Sequence, residues 1–528
     1  MKVLIIDFYT DEPSGLGVPP YIGTYPRYIY GALTLNPKVK EIFYITVDDL
    51  RNLAFPSERP GLKTNIKRYN LTRSKEDVFE AIIHSDILIF IMGVLTPGKY
   101  LRAVPGTFKE LLNISTQLEK LSKGIISKKK KLLFGPIAFG FGSSSIGGVY
   151  IKNDFYDKIN SFFDKIIPVE DYSFFQHLPE NIENNSKNEF VVSPFEYLDK
   201  ISVLGARIVN QIPWEYIVEL ETYRGCTKAL PCSFCVEKFK NRISFREPEG
   251  IIEEAKALSK LGSKHFRLGK QTSFYDYFEG DVKKIEFLLS SIRSLNPETL
   301  HIDNVNPLHV VSPKGETITK LIVKYCTPGN VAALGIESVD PKVVKLNNLK
   351  VDLQTALKAV EIINKYGSER GNNGMPLFLP GINLLFGLIG ETKSSFNYTF
   401  DFLMEILNRG LLVRRVNIRE VVPFKGTLIE QLAGNKYLRK NRRYYFSWRK
   451  KIREKFDNIM LQRILPKGTI LKDCLAEIHD GNHTFLRQFG SYPLVVGVNE
   501  RLELGKKYDI KVTSYMLRSV TGEVIKKH

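Results

Sequence analysis

Three of the chain's five cysteines fall within ten residues, on the segment Cys226-Thr-Lys-Ala-Leu-Pro-Cys232-Ser-Phe-Cys235. It follows Glu221-Thr-Tyr-Arg-Gly225 directly. A Gly- and Pro-containing loop, unlike a helix or strand, can turn three thiolates toward one centre. A closed [4Fe–4S] cluster takes four cysteines, so three leave one iron open to a substrate or a chelating cofactor. A Cys₃His zinc site would need a histidine at short spacing, and the next one is His265. A disulfide with a spare thiol, or buried structural thiols, are the remaining readings; few cysteines and a polar loop argue against both.

Other polar groups gather where strands are expected to end. They are Arg267-Leu-Gly-Lys-Gln271, His301-Ile-Asp-Asn-Val-Asn306, Gly335-Ile-Glu-Ser338, Gly387-Leu-Ile-Gly-Glu391 and Arg414-Arg-Val-Asn-Ile-Arg-Glu420. Five such ends in register with a cysteine loop indicate a ligand pocket. Glu337 is the foremost candidate, since a carboxylate beside a small-residue turn can bind an amine or ribose hydroxyls. Glu391 and Thr392 read equally well as a helix cap.

The elements that would carry these groups follow from apolar periodicity. Between residues 211 and 430 the expected strands are Ile217–Thr222, His265–Leu268, Leu300–Asp303, Val331–Ile336, Ile382–Phe386 and Arg415–Val421, with helices such as Glu249–Leu261 and Leu353–Tyr366 between them. Six βα units suit a (βα)₆ partial barrel, whose site lies at the carboxyl ends of the strands. Residues 1–170 predict a doubly wound parallel sheet with strands Val3–Ile6, Ile42–Ile45, Ile87–Ile91, Leu132–Phe134 and Ile166–Val169. Its ligand-facing loops would be Asp7–Tyr21, Gly93–Tyr100 and the glycine-rich Gly135–Gly148, which is not a Walker loop. The polar segment Pro179–Glu189 reads as a connection. Residues 468–528 predict a small β-barrel with strands Thr469–Leu471, Leu475–Ile478, Leu494–Val496, Tyr508–Val512 and Val520–Ile525. The expected class is therefore α/β with a small C-terminal β-barrel.

The chain of 528 residues carries a net charge of +19, unevenly spread. Residues 436–466 form a basic helical segment with ten Lys or Arg between Lys436 and Lys455, interleaved with Tyr437, Tyr444, Tyr445, Phe446 and Trp448. Cations with rings suit a nucleic-acid contact, and rings at helical spacing equally suit packing on a neighbouring domain. Lys128–Lys131 reads as an exposed turn. No apolar run of eighteen residues occurs and Met1–Asp7 is too short for a signal-peptide core, so the expectation is a soluble cytoplasmic protein with no membrane contact. Composition says nothing about oligomeric state.

The cysteine loop, with Phe234 before the last thiolate and six βα units behind it, resembles the radical S-adenosylmethionine (SAM) superfamily. The resemblance implies that Cys226, Cys232 and Cys235 hold a [4Fe–4S] cluster whose open iron is chelated by SAM. It implies reductive cleavage of SAM to a 5′-deoxyadenosyl radical, with electrons from an external donor. Five residues separate Cys226 from Cys232, where three are usual. By position, Glu337 and Ser338 resemble the fourth-strand motif that holds SAM. Gly387 and Glu391 resemble the fifth-strand element beside the adenine, Gln271 is the group left to meet the methionine amine, and Phe234 joins this cofactor-binding set.

Leu16-Gly-Val-Pro-Pro-Tyr21, Glu221–Cys226, His265–Gly269, His301–Asn304, Thr327-Pro-Gly-Asn-Val-Ala332 and Arg487-Gln-Phe-Gly-Ser-Tyr-Pro493 together resemble one archaeal group of these proteins. That group has a cobalamin-domain-like N-terminus and a TRAM-like RNA-binding barrel. Members commonly end in a helix-hairpin-helix; none is read here up to His528, so duplex binding is not expected. The implied activity is RNA modification, on tRNA in particular, by methylation or a related transfer. Two other readings stand beside it: a radical SAM enzyme for a small metabolite or lipid, and a non-catalytic RNA-binding protein with a structural metal. Cobalamin is a possible further cofactor, although the Asp-x-His-x-x-Gly pattern is absent from residues 1–170. Only Cys326 and Cys474 remain, too few for a second three-cysteine cluster, and both read as buried thiols.

Overall fold

Short apolar runs near the N-terminus, most fully Val3–Ile6 and Ile87–Ile91, bury both faces, which suits parallel strands covered by helices. In the computed structural model they are β1 (Lys2–Asp7), β2 (Glu41–Thr46), β3 (Ile87–Ile91), β4 (Lys130–Phe134) and β5 (Lys165–Ile166). The structure describes residues 1–9, 21–55, 66–68, 73–93, 105–139, 153–183, 190–240 and 242–528. The chain divides into two units: Met1–Thr64, Asn70–Val218 and Glu253–Ser263 form one, and Asn65–Tyr69, Glu219–Ile252 and Lys264–His528 form the other.

In the first unit all pairings are parallel and the order is β2-β1-β3-β4-β5. The order reverses between β1 and β3, the position where doubly wound sheets take ligands. Asp7 ends β1 there. Burial pushes its carboxyl up to about 7, against hydrogen bonds donated by the Tyr9 N–H at 3.0 Å and the Tyr44 hydroxyl at 3.3 Å. Most of the three expected ligand-facing loops, the residues Leu16–Pro20 and much of the expected 179–189 connection lie outside the described residues. The fifth strand is shorter than expected: Pro168 has no N–H to donate, and the ladder stops at Ile166.

From Ile217 onward six parallel strands follow in sequential order, the second unit taking up the first of them at Glu219. They are β6 (Ile217–Glu221), β7 (His265–Gly269), β8 (Thr299–Ile302), β9 (Asn330–Glu337), β10 (Phe378–Phe386) and β11 (Arg415–Glu420). The ladder breaks at Asp303 and resumes through Asn304–Val305, which pairs with Ala333–Leu334 of β9. Alternate residues face inward and outward. On β10 and β11 the outward set, Ile382, Leu384, Phe386, Val416 and Ile418, is buried and apolar, while Asn383, Arg415, Asn417 and Arg419 lie on the inner face.

Helix Lys436–Ile452 follows, and its ring-bearing stripe is core. Tyr445 lies 4.6 Å from the Phe386 ring, Trp448 lies 5.1 Å from Phe396, and the Trp448 indole N–H donates to the Phe396 carbonyl at 3.2 Å. The opposite side, with Lys436, Arg439, Lys440, Arg442, Arg443 and Phe446, is exposed.

The C-terminal strands are β12 (Ile470–Asp480), β13 (His483–Arg487), β14 (Val496–Val498), β15 (Lys507–Tyr515) and β16 (Val520–Lys527). Their pairing closes on itself as β12-β13-β14-β16-β15-β12, with β14 and β16 parallel and the other pairs antiparallel. Two expected strands are thus one: Asp473, at φ +55, forms a bulge inside β12 and breaks its alternation. Leu494 precedes β14, and β13 is a strand the sequence pattern missed. The far end of β12 also pairs with Ile66–Arg68, which leaves the N-terminal sequence to join this sheet.

Candidate active site

The cysteine loop leaves the carboxyl end of β6 and is clasped at its base by a two-residue antiparallel ladder, Tyr223–Arg224 against Ser244–Phe245. Gly225 starts the loop at φ +85; a Cβ there would meet the Arg242 carbonyl and Ile243 Cα at 2.8 Å. Its N–H donates to Glu237 at 3.2 Å. Within the loop Cys235 N–H donates to the Cys232 carbonyl at 3.0 Å, a tight turn that explains the short second spacing.

Asn347 fastens this loop to its neighbours. Its side-chain oxygen accepts from the Ser233 hydroxyl at 2.6 Å and the Ile389 N–H at 3.2 Å, and its amide donates to the Val343 and Ile389 carbonyls. The Ser233 N–H donates to the Asn347 carbonyl, and the Ile429 N–H to the Ser233 carbonyl. One buried amide therefore registers the cysteine loop against the segment after β10.

The three thiols are free and half-buried. Burial raises the Cys232 thiol and pushes that of Cys235 up to about 12; the charge of Cys226 raises both further, and that of Cys232 raises Cys235. Lys228 opposes this: its ammonium lies 3.4 Å from the Cys232 sulfur and donates to the Leu349 carbonyl at 3.3 Å. Two raised thiols that both feel Cys226, with a cation beside them, fit a cluster that needs all three as thiolates.

Glu337 ends β9 at φ +65, after a register shift that begins at Gly335. Burial pushes its carboxyl up to about 7, and Arg419 and Lys228 pull it down. Its charge in turn raises Cys232, so the carboxylate and the loop share one site. No hydrogen bond occupies that carboxylate among the described residues. It is therefore available to an amine or hydroxyls.

The other expected residues are placed less openly. Gln271 is buried, accepting from Thr222 at 3.3 Å and donating to the Leu268 carbonyl at 3.1 Å. The Ser338 hydroxyl accepts from the Asp340 N–H at 3.3 Å. Glu391 accepts from the Gly387 N–H at 2.6 Å, and burial pushes its carboxyl up to about 8. Thr392 is the N-cap of helix Lys393–Asn408, paired with Ser395 in a capping box. Phe234 packs beside the apolar cluster of Leu388, Ile389 and Ile429.

Sequence reasoning missed a polar group on the β7 side. The Thr227 hydroxyl donates to Asp276, His309 Nε2 is 3.8 Å from Asp276, and His309 Nδ1 is 3.0 Å from the Ser273 hydroxyl. Isolated as these residues are in the chain, no spacing marks them. Lys228 and Asn347 were equally silent.

Residues 220–403 match the family model described as the radical SAM superfamily. An uncharacterized protein of Methanocaldococcus jannaschii is 42% identical over 99% of this chain and 93% of its own length. The chain belongs to the radical SAM superfamily. A radical SAM domain carries a [4Fe–4S] cluster and binds SAM, so this is a SAM-dependent enzyme. A tRNA-2-methylthio-N(6)-dimethylallyladenosine synthase of Rickettsia rickettsii is 25% identical over 66% of this chain and 75% of its own length. The fold is similar to that of OxsB, a cobalamin-dependent SAM radical enzyme solved with aqua-cobalamin, at a TM-score of 0.50 and 10% identity over 85% of this chain and 56% of OxsB. Among the described residues no helix is long and apolar enough to cross a membrane.

Proposed function

We propose that this radical SAM enzyme modifies RNA, tRNA foremost, by methylation or a related group transfer. The observation that carries the reading is the closed barrel of β12–β16, whose order, with its third and fifth strands parallel, is that of the oligonucleotide-binding barrels. The exposed basic side of helix Lys436–Ile452 supports it, since cations there would neutralise phosphates. So does the likeness to a tRNA-modifying synthase. On this reading residues 1–170 are a cobalamin-domain-like unit, 211–430 the radical SAM barrel, 436–466 the basic helical segment and 468–528 a TRAM-like barrel.

Cys226, Cys232 and Cys235 would hold the cluster, which when bound with SAM supplies a carbon-centred radical able to abstract hydrogen. Glu337, whose carboxylate has no hydrogen-bond partner among the described residues, would accept from the SAM amine or ribose. Asn347 keeps the cysteine loop in register with Gly387–Glu391, and Phe234 walls that side with an apolar face. Ser273, at 3.0 Å from Nδ1, orients His309, which with Asp276 3.8 Å from its Nε2 could take or return a proton beside the loop. Cys326 and Cys474 are both buried with raised thiols, which favours methylation over a reaction needing a second cluster.

The β2-β1-β3-β4-β5 order supports cobalamin as an additional cofactor of the first unit. His84, the one histidine of residues 1–170, ends a helix before β3 and so stands at the amino end of that strand. Cobalamin would then bind without a histidine ligand from residues 1–170. Comparing modified nucleosides by mass spectrometry in cells with and without this gene tests the function; identical nucleosides in every RNA class would refute it.

A further inference from the structure

β11 sets Arg415, Asn417 and Arg419 on the inner face of the barrel, in register with Gly381, Asn383 and Leu385 of β10. Asn383 in turn pairs with Gly335 of β9. A Cβ at Gly335 would meet only the Glu337 carboxylate, at 3.4 Å, so the inner face is open there. At Gly381 a Cβ would press on Val331 at 2.8 Å and on the Arg415 side chain at 3.3 Å. Glycine is what lets Arg415 lie across the strand.

The Arg415 guanidinium stacks on the Tyr492 ring, 3.7 Å from its centre. Tyr492 is itself fixed: its hydroxyl donates to Asp303, and its carbonyl accepts from Arg414 Nη2 at 3.0 Å. Asp303 is also taken by Arg267. Asp303, the acid whose charge Arg415 feels, is therefore committed, and among the described residues Arg415 Nε is buried with no hydrogen-bond partner. Burial, and then the charges of Arg419 and Arg267, hold its guanidinium below the ordinary arginine range, with Tyr492 and Asp303 acting the other way. Arg419 is oriented by Asn417, whose amide oxygen accepts from Arg419 Nε at 2.7 Å and Nη2 at 3.1 Å in the orientation that satisfies both amide atoms.

A buried arginine is normally kept by a carboxylate or phosphate, because its desolvation is otherwise uncompensated. Here the ring supplies a flat support and the fork is left open, the arrangement that recognises an oxyanion through two parallel hydrogen bonds. We propose that Arg415, assisted by Arg419, binds an anionic group of the substrate, a phosphate monoester or a carboxylate, inside the barrel. Arg415 opens β11, five positions before its carboxyl end at Glu420, while Arg419 stands one position before that end and is felt by Glu337, so Arg415 would hold the far end of a substrate and leave the reacting end beside Glu337 and Lys228. The inference does not depend on the RNA reading: a nucleotide phosphate and a small acid present the same oxyanion.

Thermal unfolding of the full chain tests it, with inorganic phosphate or acetate at 10 mM replacing chloride at constant ionic strength. Wild type is expected to gain about 2 °C or more with one of the two anions, and R415Q less than half of that. The anion that stabilises identifies the source, phosphate ester or carboxylate. An absent response in wild type, or an equal response in R415Q, overturns the site. R419Q, which removes the assisting cation and leaves the Tyr492 stack, is the second variant should R415Q not fold; its response is expected to be reduced, and a full response overturns the proposal. SAM binding to the cluster-loaded protein separates the remaining case. R415Q should bind SAM within about twofold of wild type, and a tenfold loss would assign the arginine to the SAM carboxylate and overturn the proposal.

Discussion

The Lys228 ammonium stands 3.4 Å from the Cys232 sulfur, inside the stretch that lengthens the first cysteine spacing to five intervening residues. The added residues thus bring a cation to the thiolates. Removing it by K228A should leave iron content intact and lower the cluster's midpoint potential by about 50 mV, since a neighbouring cation favours the more negative reduced state. Potentiometric EPR measures this, and an unchanged potential would detach Lys228 from the cluster.

C226A, C232A and C235A should each abolish SAM cleavage and lower bound iron after anaerobic reconstitution, because a cluster held by two thiolates is labile. Cleavage retained in any one variant removes that cysteine from the ligand set. E337Q should keep the cluster and bind SAM about tenfold more weakly, as loss of one charge-assisted hydrogen bond predicts. Equilibrium dialysis reads the affinity.

Glu391 gives a pH dependence with a definite sign. Its folded carboxyl, pushed up to about 8, lies above the ordinary 4.5, so folding favours the neutral form and its ionisation costs stability as pH rises between those values. E391Q removes that cost. Its Tm should exceed that of wild type at pH 9 by several degrees, a difference that shrinks toward pH 5. A constant difference across the range would mean that the carboxyl ionises freely.

The two sides of helix Lys436–Ile452 should separate stability from binding. W448A removes an indole packed on Phe396 and should cost about 3–5 kcal/mol in denaturant titration. R442A with R443A should leave stability within about 0.5 kcal/mol and weaken RNA binding with a shallower salt dependence. An RNA affinity unmoved by the double substitution excludes this side as the contact.

The strands of both α/β sheets were legible because a parallel strand buried on both sides writes a continuous apolar run, as in Ile87–Ile91, and because an inner face of a barrel writes polar residues at alternate positions, as in Arg415, Asn417 and Arg419. The cysteine loop and Glu337 were legible for the same reason: residue type and strand end coincide. The aromatic stripe of helix Lys436–Ile452 was ambiguous, since Tyr445 and Trp448 have one spacing whether they meet a base or Phe386 and Phe396. What left no trace was partnership across long separations. Asn347 is one asparagine among many until Ser233 and Ile389 meet it, and Tyr492 gains meaning only where Asp303 and Arg415 converge on it.

The edge of β12 is covered by Ile66–Arg68, so this barrel is finished by three residues that are synthesised long before it. That covering segment must wait, unpaired, through the synthesis of most of the chain, and an N-terminal product released early would expose a strand with no sheet to join. A separately expressed C-terminal half would meet the mirror problem, an open edge on β12 available to another molecule. Supplying the missing half in trans should restore solubility, which makes this pair of fragments a natural subject for complementation.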